Sequence, residues 1–223
     1  MRAWGNRDDT VVIDEPFYAY YLKVTGIEHP GADEVIATGE TDWSKVVVQL
    51  TGEIASGKRI FFQKHMTHHL LPAIDREWLW AVTNCFLIRD PREVISSYIK
   101  KREDPALEEL GFVQQAEVFD FVRSHTNAVP PVVDAKDVLQ NPEGTLRLLC
   151  EAVGVKFSKS MLSWPPGLRD TDGIWARHWY GEVAKTTSFQ PYRPTASEVP
   201  VRLREVCQNC RECYQRLYEY RLH

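Results

Sequence analysis

Four short runs constrain this chain more than anything else in it: 10–14 (TVVID), 59–63 (RIFFQ), 84–88 (NCFLI) and 131–134 (PVVD). Each is almost continuously apolar and rich in β-branched or aromatic residues, the pattern of a strand buried on both faces. Between them, at 43–56, 92–101, 113–125 and 143–153, apolar residues recur every three or four positions, which predicts helices. Strands alternating with helices predict an α/β fold with a mostly parallel sheet, since parallel neighbours need a crossover between them. Asn141-Pro142-Glu143 marks a helix start, because a proline at the first helical position gives up no needed hydrogen bond, and Gly154 suits the stop.

A single domain over 1–223 is expected, long enough to bury a core. From about 164 to 200 the chain turns to prolines, glycines and aromatics, which predicts a long ordered loop. From about 200 to 222 it reads as one amphipathic helix, with Leu203, Val206, Cys210, Cys213 and Leu217 along a stripe. Lys and Arg number 27 against 31 Asp and Glu, a net charge of −4, so no basic surplus points to nucleic acid. No apolar run reaches the ~20 residues of a membrane span. Residues 1–9 lack the apolar core of a secretory signal, and the expectation is a cytoplasmic protein without membrane or nucleic-acid partners. Of the five cysteines, Cys85 and Cys150 lie in apolar runs, as reduced core thiols do.

The chemistry concentrates where strands end. Arg89 closes the third run, Asp90-Pro91 turns the chain, and a helix begins, so Arg89 falls at the carboxyl edge of the sheet, where open α/β folds bind ligands. Ser97, two helical turns on, can face the same anion, and a guanidinium with a hydroxyl makes a phosphate site. The alternative is an arginine in a surface turn. Lys64 and His65 follow the second run and Asp14-Glu15 the first, giving candidate bases and a cation at two strand ends. His65, His68 and His69 could instead bind a metal, but no H-E-x-x-H carboxylate accompanies them, so no metal is expected.

Two patterns are decoys. Gly52–Lys58 matches G-x-x-x-x-G-K but continues with Arg59, where a phosphate-binding loop needs a hydroxyl for Mg²⁺. Its expected context is also reversed: a helix over 43–56 stopped by Gly57, then a strand. Cys207, Cys210 and Cys213 have helical spacing, and core packing accounts for them better than a metal cluster.

In this order, the segments resemble the sulfotransferases that use 3′-phosphoadenosine 5′-phosphosulfate. Arg89-Asp-Pro…Ser97 resembles their 3′-phosphate signature. Gln63-Lys64-His65 running into Leu70-Leu71-Pro72 resembles their strand-end histidine segment. Asp14-Glu15-Pro16 resembles an acidic segment of the carbohydrate-type and bacterial members, and 132–142 resembles the strand and helix after the 3′-phosphate site. Gly173-Ile-Trp175-Ala-Arg177-His-Trp179 stands where that family has a loop closing over the nucleotide.

The resemblance implies a three-layer α/β sandwich of the P-loop nucleotide-hydrolase type around a mostly parallel sheet. It implies 3′-phosphoadenosine 5′-phosphosulfate as donor, and a hydroxyl or amine on a small molecule or carbohydrate as acceptor. Arg89, Ser97, Trp175 and Arg177 would bind the nucleotide, with His65 as base, Glu15 as orienting group or alternate base, and Lys64 neutralising the leaving oxygen. The family's first strand and 5′-phosphosulfate loop find no counterpart before Asp14, so the expectation is a sheet without its first strand and weak or absent transfer. A non-catalytic binding protein of the same fold, and a kinase or NTPase using Gly52–Lys58, are the other readings.

Overall fold

The structure, a computed structural model, describes residues 1–54, 57–194 and 198–223. In chain order its elements are α1 (Arg2–Gly5), β1 (Thr10–Asp14), α2 (Tyr18–Thr25), α3 (Ala32–Thr38), α4 (Trp43–Thr51), β2 (Ile60–Lys64), β3 (Phe86–Ile88), α5 (Pro91–Tyr98), α6 (Leu107–Leu110), α7 (Phe112–Thr126), β4 (Val132–Asp134), α8 (Ala135–Gln140), α9 (Pro142–Ala152), α10 (Ala176–Trp179) and α11 (Arg204–Tyr218). Short 3₁₀ turns lie between several of them. All four strands form at the apolar runs, and they pair two and two, both pairs parallel: β1 with β2, and β3 with β4. Among the described residues upstream of β1 there is only the helix α1.

The helix expected over 43–56 is shorter than its pattern. Asp42 caps its start, accepting from the Ser44 amide at 3.0 Å, and the helix ends at Thr51. Gly52, in an extended conformation, stops it, so Gly57 is not the stop; glycine's poor helix propensity outweighs the apolar spacing beyond it. Ala55 and Ser56, the end of that expected helix, lie outside the described residues, as do 195–197 of the expected loop. The helix-then-strand order around 52–60 is as expected.

The chain divides into two compact units, Met1–Ala81 with Ser158–Gln190, and Val82–Phe157 with Pro191–His223. In the first, the β1–β2 register sets Thr10 opposite Ile60 and Asp14 opposite Lys64. Tyr18, Tyr21 and Leu22 of α2 pack on Val35 of α3, with Trp175 against the cluster. Gly39, at the end of α3, is required by close approach: a Cβ there would stand 2.6 Å from the Ala19 Cβ of α2 and 2.9 Å from the Val35 carbonyl oxygen.

In the second unit, Phe86 faces Val132 and Ile88 faces Asp134. Ile95 of α5, Leu110, Phe112 of α7, Leu203 and Cys210 of α11 make a core cluster. Asp134 ties β4 to two helices: its carboxylate accepts from the Lys136 amide at 2.7 Å and from the Tyr214 hydroxyl at 2.7 Å. β3 is unusual in that Phe86 and Ile88 are buried while Leu87 between them is 60% exposed, and the Gln115 amide donates to the Leu87 carbonyl at 3.0 Å.

Candidate functional site

Asp14 ends β1, Lys64 ends β2, and their register places them side by side. Glu15 continues the ladder, its amide donating to the Lys64 carbonyl at 2.8 Å, but its φ is +44°, in the left-handed region. Consecutive residues of an extended chain point to opposite sides. The turn at Glu15 breaks that alternation, and both carboxylates reach one ammonium: Lys64 Nζ lies 3.3 Å from Asp14 Oδ1 and donates to Glu15 Oε1. A left-handed non-glycine residue is strained, and strain of this kind collects at functional sites.

Tyr180, one residue past α10, completes the cluster. Its hydroxyl donates to Asp14 Oδ2 at 2.7 Å and accepts from Lys64 Nζ at 3.0 Å. Asp14 and Glu15 are 4% and 9% exposed, so these are buried charges. Burial pushes the Glu15 carboxyl above its usual range, and Asp14 adds to the shift while Lys64 opposes it. Burial works against the Lys64 charge, yet Glu15 and Asp14 outweigh it and hold the ammonium protonated. Burial likewise raises the Tyr180 phenol, which stays protonated as a donor.

The histidines stand apart from this cluster. His65 packs against the rings of Phe17 and Trp78, 5.7 and 5.4 Å away, with Gln63 Oε1 near its Nε2, at 3.3 Å. Loss of solvent, then the Lys64 charge, push its pKa down to about 4. His68 and His69 are buried, His69 stacked on Tyr18 at 4.7 Å, and burial takes His68 to about 3 and His69 well below its ordinary value.

The glycine–tryptophan segment folds onto its own unit. The Trp175 ring lies over Gly173, in the space a Cβ would take, and meets Tyr18 edge-on at 5.2 Å. Arg177 pairs with Glu34 of α3. The two residues of this segment that the resemblance gave to the nucleotide, Trp175 and Arg177, thus hold it against α2 and α3.

Arg89 lies in the second unit, past β3, with its side chain 45% exposed. The Asp90 side chain caps α5 by accepting from the Arg92 amide at 2.8 Å, with Pro91 in the first turn. Arg89 Nε donates to Glu93 Oε2 at 2.9 Å, and the other oxygen of Glu93 accepts from the Tyr192 hydroxyl at 2.7 Å. That bond raises the Tyr192 phenol to about 12. Ser97, exposed, is one further turn along the same stripe.

Lys58 is exposed, its ammonium on the Asp8 carbonyl. The five cysteines are free thiols; Cys210 and Cys150 are buried, Cys207 and Cys213 pack beside the α5–α11 core, and Cys85, expected inside, is exposed just before β3. Among the described residues, no group of three or more His, Cys, Asp or Glu is placed to hold a metal ion.

Sequence reading missed Tyr180 and Glu93. Glu93 carried a signal, since a carboxylate four residues after Arg89 is a standard ion-pair spacing. Tyr180 carried none: it is 166 residues from Asp14.

Over most of its length the chain's sequence matches one family. Residues 1–207 match the sulfotransferase domain, and the chain belongs to that family. It is 31% identical over 215 residues to branched-chain-amino-acid aminotransferase-like protein 2 of Arabidopsis thaliana, a match over 96% of this chain and 38% of that protein. It is 34% identical over 189 residues to branched-chain-amino-acid aminotransferase-like protein 1 of the same plant, over 85% of this chain and 34% of the relative. The chain thus spans little more than a third of these relatives. Among solved structures it is similar to the sulfotransferase domain from the curacin biosynthetic pathway, at 15% identity and a TM-score of 0.45, over 93% of this chain and 79% of that one. No helix among the described residues is long and apolar enough to cross a membrane.

Proposed function

We propose that this chain is a sulfotransferase domain, moving a sulfuryl group from 3′-phosphoadenosine 5′-phosphosulfate to a hydroxyl or amine of a small molecule or carbohydrate, on a three-layer sheet of the family type. The observation that carries this is the buried Asp14–Glu15–Lys64–Tyr180 cluster at the carboxyl ends of two parallel strands, in a chain of this family. In such a transfer the acceptor oxygen or nitrogen bonds to sulfur as the bond from sulfur to the bridging oxygen breaks, and the acceptor loses a proton. Glu15 suits that proton better than His65, because a carboxyl raised by burial is a stronger base than an ordinary one, whereas His65 is a weakened base wedged between rings. Lys64 supplies the positive charge that offsets charge on the departing oxygen. In the second unit, Arg89 and Ser97 take the 3′-phosphate, which must displace Glu93 from Arg89.

Calorimetry with adenosine 3′,5′-bisphosphate and adenosine 5′-monophosphate tests this on Arg89→Ala. Loss of a charge-assisted contact worth roughly 1.5–3 kcal/mol should weaken the bisphosphate about ten- to a hundredfold and leave the monophosphate nearly unchanged. Equal losses would remove Arg89 from the 3′-phosphate. Binding of neither nucleotide, with ATP and Mg²⁺ also silent, would favour a non-catalytic binding protein.

A further inference from the structure

Lys64 Nζ donates to Glu15 Oε1 and to the Tyr180 hydroxyl at 3.0 Å, while Asp14 Oδ1 stands 3.3 Å away as an ion-pair partner. A phenol has one proton to give. Its shortest bond, 2.7 Å, runs to Asp14 Oδ2, so its lone pair faces Lys64. Tyr180 therefore links the two side chains, giving its proton to Asp14 and its lone pair to Lys64 beside Glu15. Its ring also lies 5.5 Å from Nζ.

The backbone that carries this phenol is pinned on both sides. The Tyr180 amide donates to the Ala176 carbonyl at 2.7 Å, and its carbonyl accepts from the Ala184 amide at 2.8 Å. Upstream, Trp175 on Tyr18 and Arg177 on Glu34 anchor the same segment to α2 and α3. We propose that Tyr180 is the positioning residue of this cluster: its hydroxyl aims Lys64 at Glu15, and through it the placement of the 173–180 segment sets the geometry of the two strand ends. This deepens the transferase reading, and only the kinetic half of the test below rests on it.

The charged groups facing Tyr180 are Asp14 and Glu15 from the end of β1 and Lys64 from β2. Tyr180→Phe keeps the ring and removes the oxygen. With carboxyl-labelled Glu, the Glu15 titration midpoint, followed by NMR on the full chain, should rise by about one pH unit as Asp14 loses its hydroxyl donor and turns more of its charge on Glu15, and as Lys64 loosens. In a transfer assay with the phosphosulfate donor, kcat should fall about tenfold with donor KM within about twofold, and the acid limb of the pH–rate profile should move upward with the midpoint. An unmoved Glu15 midpoint in a folded Tyr180→Phe chain overturns the proposal. A shifted midpoint in a chain that transfers no sulfuryl group upholds it and refutes the transferase reading instead. Should Tyr180→Phe fail to fold, Tyr180→3-fluorotyrosine retains ring and oxygen with a stronger donor. It should lower the midpoint by a few tenths of a unit, and no movement there is equally fatal.

Discussion

Lys64 in the first unit and Arg89 in the second each face a carboxylate, but in different solvents. Asp14 and Glu15 are almost wholly buried and Lys64 is held by both of them and by Tyr180, whereas Arg89 is nearly half exposed and meets one Glu93. Burial removes water as an alternative partner, so the first cluster can be broken only at high cost. Exposure leaves water as a competitor, so the second can exchange its carboxylate for another anion cheaply. In the proposed transfer, the first would stay assembled while a proton moves and the second would let go.

The sharpest way to break this contrast is to delete the cation. Lys64→Met should destabilise the chain by about 3–5 kcal/mol, because two buried carboxylates lose their counter-ion. Arg89→Met should cost less than about 1 kcal/mol. Urea unfolding of both variants checks the pair, and comparable losses would mean that burial does not separate the two constellations.

Acid provides the second test, confined to the first unit. Folded His68 resists protonation to about 3 and burial holds His69 well below its ordinary value too, while the unfolded chain takes up protons near 6.5. The unfolded state then binds more protons below pH 6.5, and stability falls as pH falls. Each histidine contributes about 1.4 kcal/mol per pH unit, or 2–3 kcal/mol for the two between about pH 6.5 and 5.5. Denaturant midpoints across that range should drop accordingly, and His68→Phe should remove part of the slope. A flat profile would place both rings in water.

Smaller effects sharpen the second unit. Glu93→Gln removes the anion that competes for Arg89, and adenosine 3′,5′-bisphosphate should then bind about three- to tenfold tighter by calorimetry. Weaker binding would make Glu93 a support for the arginine rather than a rival. Tyr192→Phe removes only a partner of Glu93, and its thermal midpoint should stay within about 2 °C of the parent, since a single half-buried hydrogen bond contributes little net stability.

What the sequence made legible is what is local. Each strand announced itself by a run of neighbouring apolar residues, and Arg89 by the Asp-Pro turn that follows it. The end of α4 was misread because Gly52 and Gly57 both offer a stop, and only the backbone energetics of the whole turn decide between them. Trp175 reads as a ligand platform in a glycine-rich loop, yet Gly173 leaves room for the ring to fold back onto its own chain. Tyr180 was invisible for a different reason: no period or spacing links it to Asp14, and their meeting is a product of tertiary packing alone. Three of the four residues of the first cluster were therefore readable, as adjacent acidic residues and a strand-end lysine, and the phenol that joins them was not.

Leu87 carries a consequence for handling the protein in solution. A bare leucine in the middle of a strand is a nucleus for intermolecular pairing, the first step toward aggregates. Two features blunt it here: β3 is only three residues long, and the Gln115 side chain already occupies the Leu87 carbonyl. A stray chain adding there would have to evict an amide for a gain of few backbone bonds, so this patch is colloidally tame in the folded protein and sticky once α7 lets go of β3.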